Sequence, residues 1–473
     1  QAGGRTPDER NRVAQHARFC GNLITVRGAR GIGFDEQAEI SAGDTTTRLG
    51  QTLATSDTEV VVQVFEGTRG LTRETAGVRF LGRVPDMVVS EALLGRVFDG
   101  LGRPRDGGPP ILGHRREPLR GVPINPVARE YPREFIQTGI SSIDLLNSLV
   151  RGQKLPIFTG SGLPHQRLLS QILRQARLLE ASAPFAVIFV AMGISHTDAR
   201  FFHDAFRDEG VMERVSMFLN LADDPTMACL AAPRAGLTAA EYLAFEQDYH
   251  VLVILTDMTN YATALREIAT ARNEVPARKG YPGYLYSDLA EIYERAGRVQ
   301  GRGGSITLIP VVTLPNGDIT HPVPDLTGYI TEGQLVLSRD LHGRGVVPPV
   351  DVLPSLSRLM KDGIGPTHTR DDHANLANQL YAAYAEGRRI RDLATVVGEA
   401  DLAGVDKLYL KFADAFEERF IAQGPSEERS VVQSLDLGWS LLELLPVDEL
   451  SRVTEEQIST YGRRPRQEQE HDG

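Results

Sequence analysis

The chain has 473 residues, 41% of them hydrophobic and 24% charged, with a formal net charge of -11. This is a globular composition with ample apolar residues for a core, at a length that suits two or three domains. The acidic balance argues against nucleic acid as the main partner, and no apolar run approaches the roughly 18 residues of a membrane span.

The only cysteines, Cys20 and Cys229, are far apart and lack metal-ligand spacing, so a reducing cytoplasm is the natural reading. The chain opens Gln-Ala-Gly-Gly-Arg, with no apolar stretch and no initiator Met. No secretory signal is expected there, and some residues are expected to be missing.

Residues 1–18 are polar and read as loose. From Phe19 to Phe80 short strands alternate with glycine turns. Asn22 to Arg27, Ala38 to Ile40, Arg48 to Ala54 and Glu59 to Phe65 are predicted strands of a small barrel or sandwich. Residues 95–132, rich in Gly, Pro and Arg, are expected to be turns and loops connecting two domains.

From Phe135 to Leu314 strands and helices alternate. Strands are predicted at Leu155 to Phe158, Phe185 to Ala191, Val215 to Leu221, Val251 to Leu255 and Ser305 to Val312. Helices are predicted at Gln166 to Glu180, Phe201 to Glu209, Ala239 to Asp248 and Ala262 to Asn273. Continuous apolar strands alternating with helices imply a parallel sheet covered on both faces, with ligands at the carboxyl ends of its strands. Beyond residue 355 the period is helical: His373 to Val397, Leu402 to Ala422, Arg429 to Leu444 and Val447 to Thr460. The tail Gly462 to Gly473 is charged and expected to be disordered.

The stretch Pro156-Ile-Phe-Thr-Gly-Ser-Gly-Leu-Pro-His-Gln166 has the layout of a phosphate-binding loop: strand, glycine turn, helix. Against G-x-x-x-x-G-K-[ST], Thr159 takes the first Gly, Pro164 the second, His165 the Lys and Gln166 the Ser/Thr. Gly160 and Gly162 keep the turn tight. The phosphate-contacting ammonium and the Mg²⁺-holding hydroxyl are missing, and Pro164 has no N–H. Two readings stand on these residues alone: a nucleotide-site scaffold stripped of its catalytic parts, or a glycine turn before a helix.

That string resembles the B subunit of V/A-type rotary ATPases, the non-catalytic partner of the catalytic A subunit. Further segments carry the resemblance in order: Glu134 to Asp144, Ser148 to Lys154, Glu274 to Tyr284, Ile292 to Arg298, Asp325 to Gln334 and Val352 to Met360. The resemblance covers roughly residues 20 to 460. It implies a multidomain α/β protein: an N-terminal β-barrel (1–80), a central RecA-like P-loop-type α/β domain with a degenerate loop (81–355) and a C-terminal helical bundle (356–473).

It further implies an A3B3 ring with ATP/ADP and Mg at the A–B interface, held mainly by the A subunit. Central rotor stalk and peripheral stalk subunits would be the other partners, with the membrane reached only through the complex, on its cytoplasmic side. Arg358, in Ser355-Leu-Ser-Arg-Leu-Met360, takes the place of the family's arginine finger. Without the resemblance, an arginine after such a turn is a surface or salt-bridge residue.

Asp257 ends a core strand, where either an Mg²⁺-organising carboxylate or a remnant bonded to nearby turns would sit. Related catalytic subunits carry Gly-Glu-Arg after the second core strand. Here that stretch is Met192-Gly-Ile-Ser-His196, and Ile194 cannot orient a water. Gly160, Ser161, Gly162 and His165 are candidates for a weak anion or nucleotide pocket. Tyr329 is a candidate contact to a neighbour's nucleotide base, or interface packing. Two rival functions remain: a self-sufficient ATPase with an unusual loop, and a purely structural ring scaffold.

Overall fold

A computed structural model describes residues 17–42, 47–72, 76–113, 115–178, 184–208, 210–272, 274–398 and 402–462. The expected loose start, up to residue 16, and the charged tail from 463 lie outside them. The chain divides into two compact units. The first comprises Gln1–Asn125, Ala186–Arg295 and Arg302–Gly304; the second comprises Pro126–Phe185, Ala296–Gly301 and Ser305–Gly473.

In the first unit, strands Ala17–Cys20, Leu23–Arg27, Gln37–Ala42, Thr47–Thr55, Glu59–Val64 and Ala76–Phe80 form one antiparallel sheet, in the order 1-2-5-4-3-6. Period-two alternation drives it: Ile24, Val26, Ile40, Val60, Val62 and Val78 point into a common core. The first and last of these strands were absent from the sequence expectation.

The same unit holds a four-strand run in the order His250–Thr256, Phe185–Ile194, Val215–Leu221, Val97–Asp99, with the last two pairings parallel. Val97–Asp99 corrects the expectation that residues 95–132 are all turns and loops. So do Arg115–Pro118, paired with Asp86–Val89, and Arg129–Glu130, a short strand of the second unit. Val97 and Phe98 are buried, and Phe98 stacks on Phe218 with centroids 5.1 Å apart.

The helix expected at Ala239 to Asp248 runs over Thr226–Glu246 and contains Pro233. It is buried along most of its length, so no single apolar stripe marks its first half. Met258–Ala271 and His196–Asp208 also start earlier than expected.

In the second unit, Ser305–Leu314, Ile157–Gly160 and Gly333–Leu337 pair in parallel, and Val350–Ser357 closes the edge antiparallel. The loop helix covers His165–Gln175 rather than reaching Glu180, because Arg177–Leu178 leaves to pair with Phe135–Gln137. The helix His373–Val397 has the expected bounds. Gly404–Ala415 continues as a π-helical turn, Phe416–Ile421, and Val431–Leu442 follows. The last expected helix is split: a 3₁₀ turn at Val447–Glu449, then Glu455–Tyr461 with a capping box from Thr454 and Gln457. Stacked Phe412, Phe416 and Phe420 fill this helical part.

Candidate functional site

The loop begins at Gly160, where strand Ile157–Gly160 ends. Gly162 has φ +82°, a left-handed conformation that favours glycine. Leu163 N–H donates back to the carbonyl of Gly160 at 3.1 Å, and His165 N–H donates to the carbonyl of Leu163 at 2.8 Å. Two donors that a phosphate cradle would aim at an anion are thus engaged inside the loop, and Pro164 has none to give. The His165 ring also faces the carbonyl of Leu163, with Nδ1 at 3.2 Å. From outside, Arg339 donates to the carbonyl of Ser161 at 2.8 Å. Together with the missing ammonium and hydroxyl, this donor set does not fit the triphosphate tail of MgATP.

Asp257, in the first unit, is the N-cap of helix Met258–Ala271 and accepts from Thr259 N–H at 2.7 Å. Ile194 lies within strand Phe185–Ile194 and is 9% exposed. Gly193 N–H donates to the Asn220 side chain at 3.0 Å, while the Asn260 amide donates to the Met192 carbonyl at 3.0 Å. Polar groups at this turn are held by two asparagines, and Ile194 beside them is a buried aliphatic side chain. His196 projects to solvent and pairs with Asp223 at 2.9 Å.

Arg358 follows strand Val350–Ser357. Alternation sorts the neighbours: Ser355 and Ser357 are buried, while Leu356 is 51% exposed and Arg358 is exposed. The pairing with Gly333–Leu337 is irregular between Gln334 and Val336. Ser355 bridges that break, accepting from Val336 N–H at 2.9 Å and donating to the Asp351 carbonyl at 2.6 Å.

Arg358 N–H donates to the carbonyl of Glu332 at 3.0 Å, and Nη1 to the carbonyl of Thr331 at 2.9 Å. Among the described residues no carboxylate pairs with Arg358. Glu332 is itself fixed by Lys154, whose side chain is 4% exposed: Nζ lies 2.8 Å from one carboxylate oxygen and the Lys154 N–H donates to the other at 2.7 Å. Tyr329, 74% exposed, lies in the last turn of the helix Pro322–Ile330, two residues before the Thr331 carbonyl that Arg358 holds.

The same sheet separates Arg358 from the loop. Ile157 pairs with Leu335 and Phe158 with Val336 in parallel, whereas Ser357 pairs with Gly333. The loop therefore leaves the carboxyl end of these strands and Arg358 sits at the amino end. Six residues of strand, at about 3.3 Å each, put them roughly 20 Å apart.

Sequence models of three domains match the chain: the ATP synthase alpha/beta family β-barrel domain over residues 18–82, that family's nucleotide-binding domain over 139–357, and the C-terminal domain of V and A type ATP synthase over 362–462. The V-type ATP synthase beta chain of Nitrosococcus oceani is 57% identical over 450 residues, covering 95% of this chain and 94% of that protein. The chain belongs to the V/A-type ATP synthase beta-chain family. The V-type ATP synthase beta chain of Halothermothrix orenii is 56% identical over 447 residues, 94% and 96% of the two chains. A solved structure of the ATP synthase subunit NeqB from Nanoarcheaum equitans superposes with a TM-score of 0.71 at 40% identity, covering 90% of this chain and all of that one.

The V/A-type beta-chain fold is thus an N-terminal β-barrel, a central nucleotide-binding α/β domain and a C-terminal helical domain. Among the described residues no helix is long and apolar enough to cross a membrane, and no group of three His, Cys, Asp or Glu side chains is arranged to hold a metal ion. Sequence reasoning missed Lys154, Gln153 and Glu332 as the frame of Arg358. All three lie in segments that carry the resemblance, Ser148 to Lys154 and Asp325 to Gln334, but nothing local in the sequence joins them to Arg358.

Proposed function

We propose that this chain is the non-catalytic B subunit of a rotary V/A-type ATPase or ATP synthase. It alternates with catalytic A subunits in an A3B3 ring and donates Arg358 to the nucleotide held by the adjacent A subunit. The carrying observation is the placement of Arg358: exposed, without a carboxylate partner among the described residues, anchored at Thr331 and Glu332, and at the sheet end opposite its own loop. An arginine so placed serves a nucleotide outside its own chain. Its planar, permanently charged fork suits charge developing on a γ-phosphoryl group.

The Mg²⁺ and ATP or ADP belong to the A subunit's loop in this reading. Family membership supports the other partners: a central rotor stalk, peripheral stalk subunits, and ion-translocating membrane subunits that set whether H⁺ or Na⁺ is moved. The ring then lies on the cytoplasmic face of the membrane. The degenerate loop, Ile194 in place of an acid, and Asp257 capping a helix all weigh against a self-sufficient ATPase.

The test is ATP hydrolysis by three preparations: the chain alone, the chain with its catalytic partner, and that pair carrying Arg358→Ala with assembly verified by size. Silence, activity and a loss of about 10³-fold or more are expected in that order. Full activity in the assembled variant would reduce the chain to a scaffold. Turnover by the chain alone would make the loop catalytic.

A further inference from the structure

Gln153 is completely buried, and its side-chain nitrogen faces Ser357 and Glu332, the two residues that hold the backbone at Arg358. Its carboxamide oxygen accepts from Val150 N–H at 3.0 Å. Its nitrogen donates to the carbonyl of Glu332 at 3.1 Å and to Ser357 Oγ at 2.9 Å. Ser357 Oγ in turn donates to the carbonyl of Ser148 at 2.8 Å. The Glu332 carbonyl that Gln153 holds is also the acceptor of Arg358 N–H.

One carboxamide therefore fixes the residue before Arg358 and the acceptor of the Arg358 N–H. A carboxamide has one acceptor oxygen and two donor hydrogens, in a plane. Here both ends are engaged, so its orientation is determined. Lys154, the next residue, grips the Glu332 carboxylate, so consecutive residues of one turn hold both the backbone and the side chain of Glu332.

We propose that Gln153 is the positioning residue for Arg358, acting with Ser357 to set where the guanidinium reaches. The proposal rests on the arginine-donor reading above. The physical argument is that the fork of an arginine works only when held in the productive geometry, and a misplacement of about 1 Å costs up to about 10²-fold in rate. The anchor of Arg358 that Gln153 holds is its backbone bond to Glu332, which no alternative rotamer of the arginine side chain can restore.

The test uses the assembled complex with the catalytic partner subunit, carrying Gln153→Met, Ser357→Ala, Arg358→Ala, or either of the first two combined with Arg358→Ala. Gln153→Met keeps the length and removes all three side-chain hydrogen bonds. Ser357→Ala is the milder change and carries the test if the methionine variant fails to assemble. Assembly is read by size, and kcat and KM for MgATP are measured separately.

Each of the two single variants is expected to lower kcat by about 10- to 100-fold with KM little changed. In the Arg358→Ala background each is expected to add less than about twofold, because both changes act through the same group. Wild-type kcat in the assembled single variants would overturn the proposal. So would an equal loss with and without Arg358, which would mark a general structural role. Wild-type turnover in Arg358→Ala alone would instead remove the arginine-donor reading on which the proposal stands.

Discussion

Arg339 donates from Nη2 to the carbonyl of Ser161 at 2.8 Å, so the short helix Arg339–Gly343 braces the glycine turn of the loop. With His165 N–H turned back onto Leu163, the turn keeps the outline of a phosphate loop while its donors face inward. Both the geometry and the chemistry trace to Pro164 and its neighbours. The combined change Pro164→Gly, His165→Lys and Gln166→Thr returns an N–H, an ammonium and a hydroxyl. The isolated chain carrying it is expected to bind MgATP at least about tenfold more tightly, which is about 1.4 kcal/mol. Calorimetric titration of the two chains measures this. Equal affinities would show that the turn itself, not the missing groups, bars the nucleotide.

Arg358→Lys separates charge from shape at the proposed interface. Lysine keeps the positive charge but loses the planar fork and the delocalised donors. Turnover of the assembled complex is expected to fall by at least about 10²-fold, with the lysine variant no more than about tenfold better than alanine. A lysine variant close to wild type would mean that only charge matters there.

Gly121 and Arg295 set a stability prediction in the first unit. Arg295 is 1% exposed and donates to Glu241 at 2.6 and 2.8 Å, to Thr238 at 2.9 Å and to the carbonyl of Leu119 at 3.0 Å. A Cβ on Gly121 would lie 2.3 Å from the guanidinium carbon, and Gly121 has φ +58°. The guanidinium cannot retreat without breaking buried charge-assisted bonds. Gly121→Ala is therefore expected to cost about 3–5 kcal/mol, from left-handed strain plus overpacking. Thermal unfolding measures it, and an unchanged Tm would mean that the backbone at Gly121 shifts freely away from Arg295.

How much of this was legible depended on how local each feature is. The helix His373–Val397 could be bounded from its period alone. The alternation in Ser355-Leu-Ser-Arg358 carries the in-out pattern of the edge strand. The losses at His165, Gln166 and Ile194 are substitutions, visible letter by letter. Three things were not visible. The helix Thr226–Glu246 is apolar on nearly every side, so no stripe announced its first half. Gln153 and Ser357 lie 204 positions apart, and only the sheet brings them within 2.9 Å. Val97–Asp99 was hidden differently: four residues between Gly95 and Gly100 read as a turn until Val215–Leu221 supplies a partner strand.

His373 gives the second unit a dependence on pH whose sign follows from its surroundings. The residue is fully buried, with Nε2 3.0 Å from the carbonyl of Leu145 and Nδ1 2.9 Å from the hydroxyl of Thr369. A carbonyl can only accept, so the proton sits on Nε2 and Nδ1 takes the hydroxyl's hydrogen. The neutral ring satisfies both contacts, and a second proton would oblige the Thr369 hydroxyl to turn and accept instead of donating. Burial lowers the pKa from 6.5 to about 4, against a smaller upward pull from the Leu145 carbonyl and Asp372. The unfolded chain takes up a proton near pH 6.5 that the folded chain refuses until about pH 4. The stability from this group is therefore full above 6.5 and is lost as pH falls from 6.5 to about 4. At 1.36 kcal/mol per pH unit the loss is limited to about 3 kcal/mol. Carboxylates titrate in the lower part of that window, so the readout is a difference: Tm against pH for the parent chain and for His373→Gln. The glutamine variant is expected to start lower at pH 7.5 and to lose less between pH 6.5 and 4.5. Parallel curves would mean that His373 titrates in the fold as it does in the unfolded chain.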